Sequence, residues 1–360
     1  MAYMEGGIKR RTTKRILVGD VPIGGDEPIA VQSMANVPMH DYIAAVDQIN
    51  ALKSAGCAIV RVAVPDMEAV CCLGRIVENV DVPVVADIHF DYKLAIESAA
   101  AGAAKIRINP GNIGDESRVK AVADCCRQKN IPIRIGINGG SLEKNILKKY
   151  GNPVPKALVE SAEYHMRMLE KYDFDNIVIS IKASDIKNTV EANRIISSKY
   201  DHPIHLGLTE AGTMKMGSVK SAIGIGSLLL DGIGDTIRVS LTADPLEEVK
   251  VAYNILNALG LNTYKNGIEL ISCPTCARCR VDVIKYANEF EKKIEGLEVK
   301  RNIKVALMGC EVNGPGEAKE CDVGIACGLN EGLLFVNGEI VKKVPAERIT
   351  DTLMEYIKEL

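Results

Sequence analysis

The chain has no tryptophan and only four phenylalanines, so whatever core it builds is aliphatic. It lacks an excess of either charge. Lys+Arg 44 against Asp+Glu 47 gives a formal −3, which removes any global pull toward nucleic acid or an anionic membrane. It also lacks an apolar run of the roughly 18 residues that a bilayer span needs. Its first residues, MAYMEGGIKRRTTKR, are basic but carry no apolar signal core, so a cytoplasmic protein is expected. In that compartment thiols stay reduced, which turns attention to what the chain does have: eleven cysteines. Cys57, Cys71, Cys72, Cys125 and Cys126 lie in apolar or helical patterns and read as buried free thiols. The clustered ones remain for metal or redox chemistry.

Eight β-rich runs alternate with helical patterns: PIAVQSM, CAIVRVAVP, VPVVADIHF, KIRINPG, IPIRIGING, NIVISIKAS, HPIHLGLTEAG and DTIRVSLTADP. Their starts recur at about the length of one strand–helix unit, except where GSLEKNILKKYGNPVPKALV is inserted after the fifth. Eight such units predict an α/β fold of the TIM (β/α)8 barrel type, with a doubly wound sheet as the alternative. Residues 14–31 read as a hairpin closing the barrel floor. The pattern changes after ALGLNTYKNG. A helical stretch (Val281–Ile294), two strands, a hairpin turning at Asn337-Gly338 and a final helix opened by Pro345 predict a second, small α+β domain. The expected division is 1–265 for the barrel and 266–360 for the appendage.

Strand side chains alternate faces. In the fourth, fifth, sixth and eighth runs, aliphatic residues occupy one face and polar ones the other. Arg107 opposes Ile106 and Ile108; Arg134 and Asn138 oppose Ile133, Ile135 and Ile137. Lys182 shares a face with Ser180, and Arg238 with Ser240. Arg61, Asp87 and His89 extend the polar set. The aliphatic face packs on the outer helices, so the polar face must look into the barrel, where such folds build their sites. Arg61, Arg107, Arg134, Lys182 and Arg238 therefore converge on one mouth, with Asp87 and Glu210 as the only acids placed there. The missing negative charge should come with the ligand. Arginine and lysine favour phosphate oxygens, which predicts a small substrate with at least two phosphate charges.

The segment SCPTCARC puts Cys273, Cys276 and Cys279 in a C-x2-C-x2-C array, and GCEVNGPGE follows with Cys310 and Glu317. This spacing suits an iron–sulfur cluster and, less well, a zinc site. Four thiolates, or three thiolates and an oxygen, both remain open as the ligand set. Gly314-Pro315-Gly316 predicts a turn that could aim Glu317 back toward Cys310. Cys321 and Cys327 read as buried thiols.

SCPTCAR, GCEVNGPGE, ADIHF, RINPGN, RIGINGGSLE, HLGLTEAG and DGIGDTIRVSLTADP, in their order along nearly the whole chain, closely resemble the 4-hydroxy-3-methylbut-2-enyl diphosphate synthase family of the methylerythritol phosphate isoprenoid pathway. The resemblance is to the shorter bacterial two-domain form. It implies a reductase-like second domain holding a [4Fe-4S] cluster on Cys273, Cys276, Cys310 and Glu317, with Cys279 as an extra cysteine. It implies a substrate, 2-C-methyl-erythritol 2,4-cyclodiphosphate, that undergoes reductive ring opening with loss of water. The implied phosphate holders are Arg61, His89, Arg107, Arg134, Asn138, Lys182 and Ser240. Glu210 matches the family's barrel acid, the expected proton donor to the departing hydroxyl. Electrons would come from flavodoxin or ferredoxin. One departure is SMANVPMHD after the first strand, where the family tends to carry a threonine-rich stretch; Asn36 is the polar residue that remains.

The end of the eighth barrel helix lies opposite the mouth, and LNTYKNG reaches roughly 25 Å when fully extended. That predicts a head-to-tail homodimer in which the cluster domain of one chain faces the barrel of the other; the resemblance implies the same arrangement. A radical SAM barrel would need a C-x3-C-x2-C loop after the first strand, where this chain has no cysteine. A pterin-dependent methyltransferase barrel would not need the cysteine domain. A zinc-stapled nucleic-acid module is opposed by the acidic balance and scarce aromatics.

Overall fold

The computed structural model describes residues 7–109, 113, 115–261, 267–297 and 299–360. It divides into two compact units, Met1–Tyr264 and Lys265–Leu360.

In the first unit a short antiparallel hairpin, β1 (Ile16–Val18) and β2 (Val21–Ile23), precedes eight parallel strands. These are β3 (Ala30–Met34), β4 (Ile59–Ala63), β5 (Val84–Asp87), β6 (Lys105–Ile108), β7 (Ile133–Asn138), β8 (Ile177–Lys182), β9 (His205–Leu206) and β10 (Thr236–Ile237). The sheet order is β8-β7-β6-β5-β4-β3-β10-β9, and a parallel bridge between Ile179 and Ile204 closes the ring. The expected TIM barrel is thus the observed fold. Its helices are α1 (Tyr42–Ser54), α2 (Met67–Glu78), α3 (Tyr92–Ala100), α4 (Glu116–Gln128), α5 (Lys144–Tyr150), α6 (Pro155–Glu170), α7 (Ile186–Lys199), α8 (Met214–Leu230) and α9 (Pro245–Ala258). The insertion after the fifth strand forms α5 and the start of α6.

The outward faces of the strands bury Ile106, Ile108, Ile133, Ile135, Ile177, Ile179 and Ile181 against the helices. At the floor, Ile16, Val18 and Ile23 of the hairpin pack on Ala30, Ile59, Val85 and Val178, which seals that end with apolar side chains. In this unit aspartates cap six of the described helices: Asp41, Asp66, Asp91, Asp115, Asp185 and Asp244 each accept a hydrogen bond from the first helical turn. Their carboxylates sit at the mouth end of the barrel yet are spent on their own helices.

The second unit is a five-stranded sheet in the order β11 (Ile268–Ser272), β12 (Ile303–Met308), β13 (Val323–Cys327), β14 (Glu331–Val336) and β15 (Glu339–Pro345). The first three are parallel and the last two antiparallel. Helices α10 (Val283–Ile294) and α12 (Ile349–Glu359) contribute Phe290, Leu353 and Ile357 to one face. Ala318 of α11 (Gly314–Lys319) packs with Ala306, Met308 and Ala326 in a second cluster. The turn at Asn337-Gly338 has φ 49° and 84°, the left-handed pair that such a hairpin demands.

Three expectations are corrected. Gly314-Pro315-Gly316 begins a helix instead of forming a free turn, because the fixed φ of proline suits a first helical position. Pro345 ends β15; the final helix starts at Ile349 after a short 3-10 turn. Cys71 is exposed, since it faces away from the apolar side of α2. Residues 110–112 of RINPGN and 262–266 of the tether lie outside the described residues.

Candidate active site

At the carboxyl ends of the barrel strands lies a cavity of about 290 Å3. Its lining includes all eight residues expected to hold substrate: Arg61, His89, Arg107, Arg134, Asn138, Lys182, Arg238 and Ser240. The strand pattern explains the gathering. Arg107 pairs in register with Asp87 on one side and Arg134 on the other, and Asn138 pairs with Lys182, so neighbouring inward side chains meet. Two glycines make room. A Cβ at Gly136 would lie 2.4 Å from Arg107 Nε, and one at Gly207 would lie 2.5 Å from Lys182 Nζ.

Asp87 is the one acid on the cavity wall, 3% exposed. Arg107 Nη1 donates to it at 2.9 Å and Arg61 Nε lies 3.5 Å away. Burial pushes its carboxyl up, but Arg61, Arg107 and Arg134 outweigh that and hold it at about 2. Burial brings Arg61 down to about 10 against the pull of Asp87. Arg61 also points Nε at Met34 Sδ, 3.1 Å away. Arg238 is clamped by Glu248 of α9 through two contacts of 3.2 Å. Arg134 donates only to Gln32 Oε1, at 3.3 Å, and Lys182 Nζ has His205 Nε2 at 3.2 Å. Burial first, then the neighbouring guanidiniums, drive both Arg134 and Lys182 well below their ordinary values. Five basic side chains thus face two carboxylates, and neither Arg134 nor Lys182 has a carboxylate at ion-pair distance among the described residues. Such uncompensated buried charge costs several kcal/mol and predisposes the cavity to an anion.

Glu210 follows β9 in a left-handed conformation, φ 55°, and is exposed. It does not line the cavity. The departing stretch SMANVPMHD borders a second, adjoining cleft of about 540 Å3, lined mainly by apolar residues from Met34 to Met39 and from Leu241 to Pro245. It is the larger, but its only charged groups with ready functions, Arg238 and Glu248, already pair with each other. Asn36 is turned to Gln48 of α1, which donates to it at 2.7 Å.

Four interior residues escaped the sequence reading. Glu248 sits on a helix, and nothing in DPLEEVK separates it from a solvated acid. Gln32, Lys105 and His205 are fully buried in the barrel. Strand alternation could have found Lys105, two residues before Arg107, and His205, two before Gly207.

In the second unit, β11 ends at Ser272 and its parallel neighbour β12 at Met308, with Ser272 in register with Leu307. The C-x2-C segment and Cys310 therefore leave the same edge of the sheet, which explains a motif split across the sequence. Gly309 N–H donates to Cys273 Sγ at 3.3 Å. The Cys310 thiol is held below its ordinary value by the N–H groups of Val312 and Asn313, and Cys276 by the backbone and side chain of Arg278. These donors favour thiolate, the form that binds metal. All eleven cysteines are free. Cys321 and Cys327 are buried, and burial pushes them up to about 11 and about 12, as suits structural thiols. Cys273 and Cys279 lie 3.9 Å apart. Glu317 is exposed on α11. Among the described residues, no three His, Cys, Asp or Glu side chains are gathered about one point where a metal ion could sit. The donor chemistry itself, soft thiols with N–H groups aimed at sulfur, fits an iron–sulfur cluster.

Two family models match: the GcpE TIM-barrel domain over residues 13–253 and the GcpE protein C-terminal domain over 269–359. The chain is 56% identical over 348 residues to the 4-hydroxy-3-methylbut-2-en-1-yl diphosphate synthase (flavodoxin) of Caldicellulosiruptor saccharolyticus, covering 97% of this chain and 99% of that one. It is 54% identical over 348 residues to the protein of that name from Geobacter sulfurreducens, covering 97% and 98%. Among solved structures it is similar to the Yersinia pestis dihydropteroate synthase, with a TM-score of 0.49, 12% identity, and coverage of 69% of this chain and 98% of that one.

Proposed function

The chain belongs to the GcpE family, and from that premise we propose that it is an iron–sulfur oxidoreductase, a 4-hydroxy-3-methylbut-2-en-1-yl diphosphate synthase. It opens 2-C-methyl-erythritol 2,4-cyclodiphosphate reductively, releases water, and takes two electrons from flavodoxin, the donor for which its relatives are named, or from ferredoxin. The observation that carries this reading is the pair of buried basic side chains without carboxylate partners, Arg134 and Lys182, in a cavity suited to a doubly charged cyclic phosphate.

In this reading Arg61, Arg107, Arg134, Lys182 and Arg238 bind the phosphates, and His89, Asn138 and Ser240 orient them. As the ring C–O bond breaks, charge grows on the leaving phosphate oxygen, and the preorganised guanidiniums stabilise it without solvent rearrangement. Asp87 keeps Arg61 and Arg107 in place. Glu210 gives a proton to the departing hydroxyl; its exposed loop must then fold over the bound substrate. Cys273, Cys276, Cys310 and Glu317 would hold a [4Fe-4S] cluster, which supplies electrons singly. Residues 1–265 form the substrate domain and 266–360 the cluster domain.

We further propose a homodimer in which each cluster domain serves the partner's barrel. α9 ends at Ala258, at the end of the barrel opposite the cavity, and few residues separate it from β11. A mixed dimer of Arg134→Ala and Cys310→Ala chains should regain activity that neither parent has; verified heterodimers without activity would reject catalysis across chains. No described helix is long and apolar enough to cross a membrane, and the acidic balance gives nucleic acid no purchase.

The test is anaerobic turnover of the cyclic diphosphate with reduced flavodoxin. The linear diphosphate alkene should form in proportion to electrons consumed; unaltered substrate would refute the assignment.

A further inference from the structure

Among the described residues, Lys182 is the only basic residue of the cavity whose sole hydrogen-bond partner is another base. Its Nζ sits 3.2 Å from His205 Nε2, and His205 Nδ1 sits 2.8 Å from Thr236 Oγ1. A neutral imidazole satisfies both contacts: Nδ1–H donates to Thr236 and Nε2 accepts from Lys182. That imidazole orients the amine but brings no negative charge. Gly207, on the same strand as His205, leaves the space the amine fills, since a Cβ there would also lie 2.7 Å from the Arg238 carbonyl oxygen.

The charged groups around Lys182 come from every side of the barrel. Arg134 projects from β7, Arg107 and the deeper Lys105 from β6, Arg61 from β4, and Arg238 follows β10. The two carboxylates are occupied. Asp87 holds Arg61 and Arg107, while Glu248 holds Arg238 and also accepts from Ser33 and Leu241. Guanidinium keeps its proton under all ordinary conditions, so the repulsion in the empty cavity can be relieved only at a lysine. Lys105 does not line the cavity; Lys182 does.

We infer that the Lys182 amine is neutral in the empty cavity and takes up one proton from solvent when a cyclic polyphosphate binds, with His205 as its positioning residue. This rests on the proposed substrate. The balance is simple. Each phosphorus of the cyclic diphosphate carries one ester oxygen and one bridging anhydride oxygen, and its single remaining acidic oxygen is fully ionised near neutral pH, so the proton comes from water and ends on Nζ. Burial and the four neighbouring guanidiniums that depress the amine support the same direction. The bound anion reverses that depression, so the lysine presents an ammonium only to a phosphate-bearing guest. Affinity should then fall by about tenfold per pH unit above the amine's value in the empty protein.

Calorimetric titration of the anaerobic, cluster-loaded protein, in buffers of differing ionisation enthalpy, counts protons taken up per ligand. Two probes run in parallel: the cyclic diphosphate, and inorganic cyclic trimetaphosphate, which also holds no proton near neutral pH. About one proton should enter with either ligand in the wild-type protein. Lys182→Met should bind more weakly with no uptake, and Lys182→Arg, always charged, should bind with no uptake. His205→Gln, whose amide can still accept, should keep the uptake. Binding without uptake in the wild type, or undiminished uptake in Lys182→Met, overturns the inference. Binding and uptake with trimetaphosphate but none with the cyclic diphosphate overturns the proposed substrate and leaves the inference standing.

Discussion

Replacing Asp87 with Asn removes one negative charge from between two guanidiniums while keeping shape and an acceptor oxygen. The carboxyl is held at about 2 against an ordinary 3.8, which corresponds to about 2 kcal/mol of stability at neutral pH. Breaking a buried ion pair by removing one partner costs about 3–5 kcal/mol, and the retained hydrogen bond to Arg107 places Asn toward the lower end. A loss of about 3 kcal/mol lowers the melting temperature of a unit this size by roughly 6–12 °C. The pH dependence has a fixed sign. A carboxyl depressed in the folded state stabilises fully above its unfolded value, near 3.8, and loses that contribution as pH falls through about 2. Wild type and Asp87→Asn should therefore differ by a constant amount from pH 5 to 8 and converge below 4. Cyclic trimetaphosphate should raise the melting temperature of the variant more than that of the wild type, because the variant cavity carries one more uncompensated positive charge. Scanning calorimetry with and without the anion measures all three effects. Equal melting temperatures at pH 7, or a gap that widens on acidification, would refute the charge balance described for the cavity.

Gly207→Ala should weaken phosphate binding at least tenfold, since its Cβ would lie 2.5 Å from Lys182 Nζ and force the amine aside; KM should rise more than kcat falls. Glu210→Gln should bind substrate as well as wild type and turn over at least about 100-fold more slowly, the usual scale for a lost proton donor; a near-native rate would remove Glu210 from the proton path. Cys279→Ala should retain iron and sulfide, whereas Cys276→Ala and Cys310→Ala should lose them. If Cys279→Ala loses them instead, the nearness of Cys279 to Cys273 marks it as the ligand in place of Cys276.

The barrel was legible because strand–helix units recur eight times at near-regular spacing, and the fourth, fifth, sixth and eighth runs carry aliphatic residues on one face and polar ones on the other. Arg107 and Arg134 could be placed facing one another before any coordinates, since alternation fixes the face and the (β/α)8 ring fixes the end. Their partners were less legible. Glu248 reaches Arg238 from a helix, where helical position alone does not say which acid turns inward. His205 and Gln32 look in sequence like ordinary strand residues, and only closure of the ring places them beneath Lys182 and Arg134. In the second unit the C-x2-C array drew attention, but β11 before it, with only five residues, did not. That strand's parallel pairing with β12 is what brings Cys273 and Cys310 to one edge. Pro315 lies in the first turn of a helix where the sequence predicts a free turn, and Pro345 ends a strand where it predicts a helix start, because proline suits all of these positions.

The most direct measurement is a crystal structure of the protein with the cyclic diphosphate bound. The account predicts phosphate oxygens within hydrogen-bond distance of both Arg134 and Lys182, with Arg238 still clamped by Glu248. Phosphates lodged in the adjoining apolar cleft, with Arg134 and Lys182 as far from any anion as before, would contradict it.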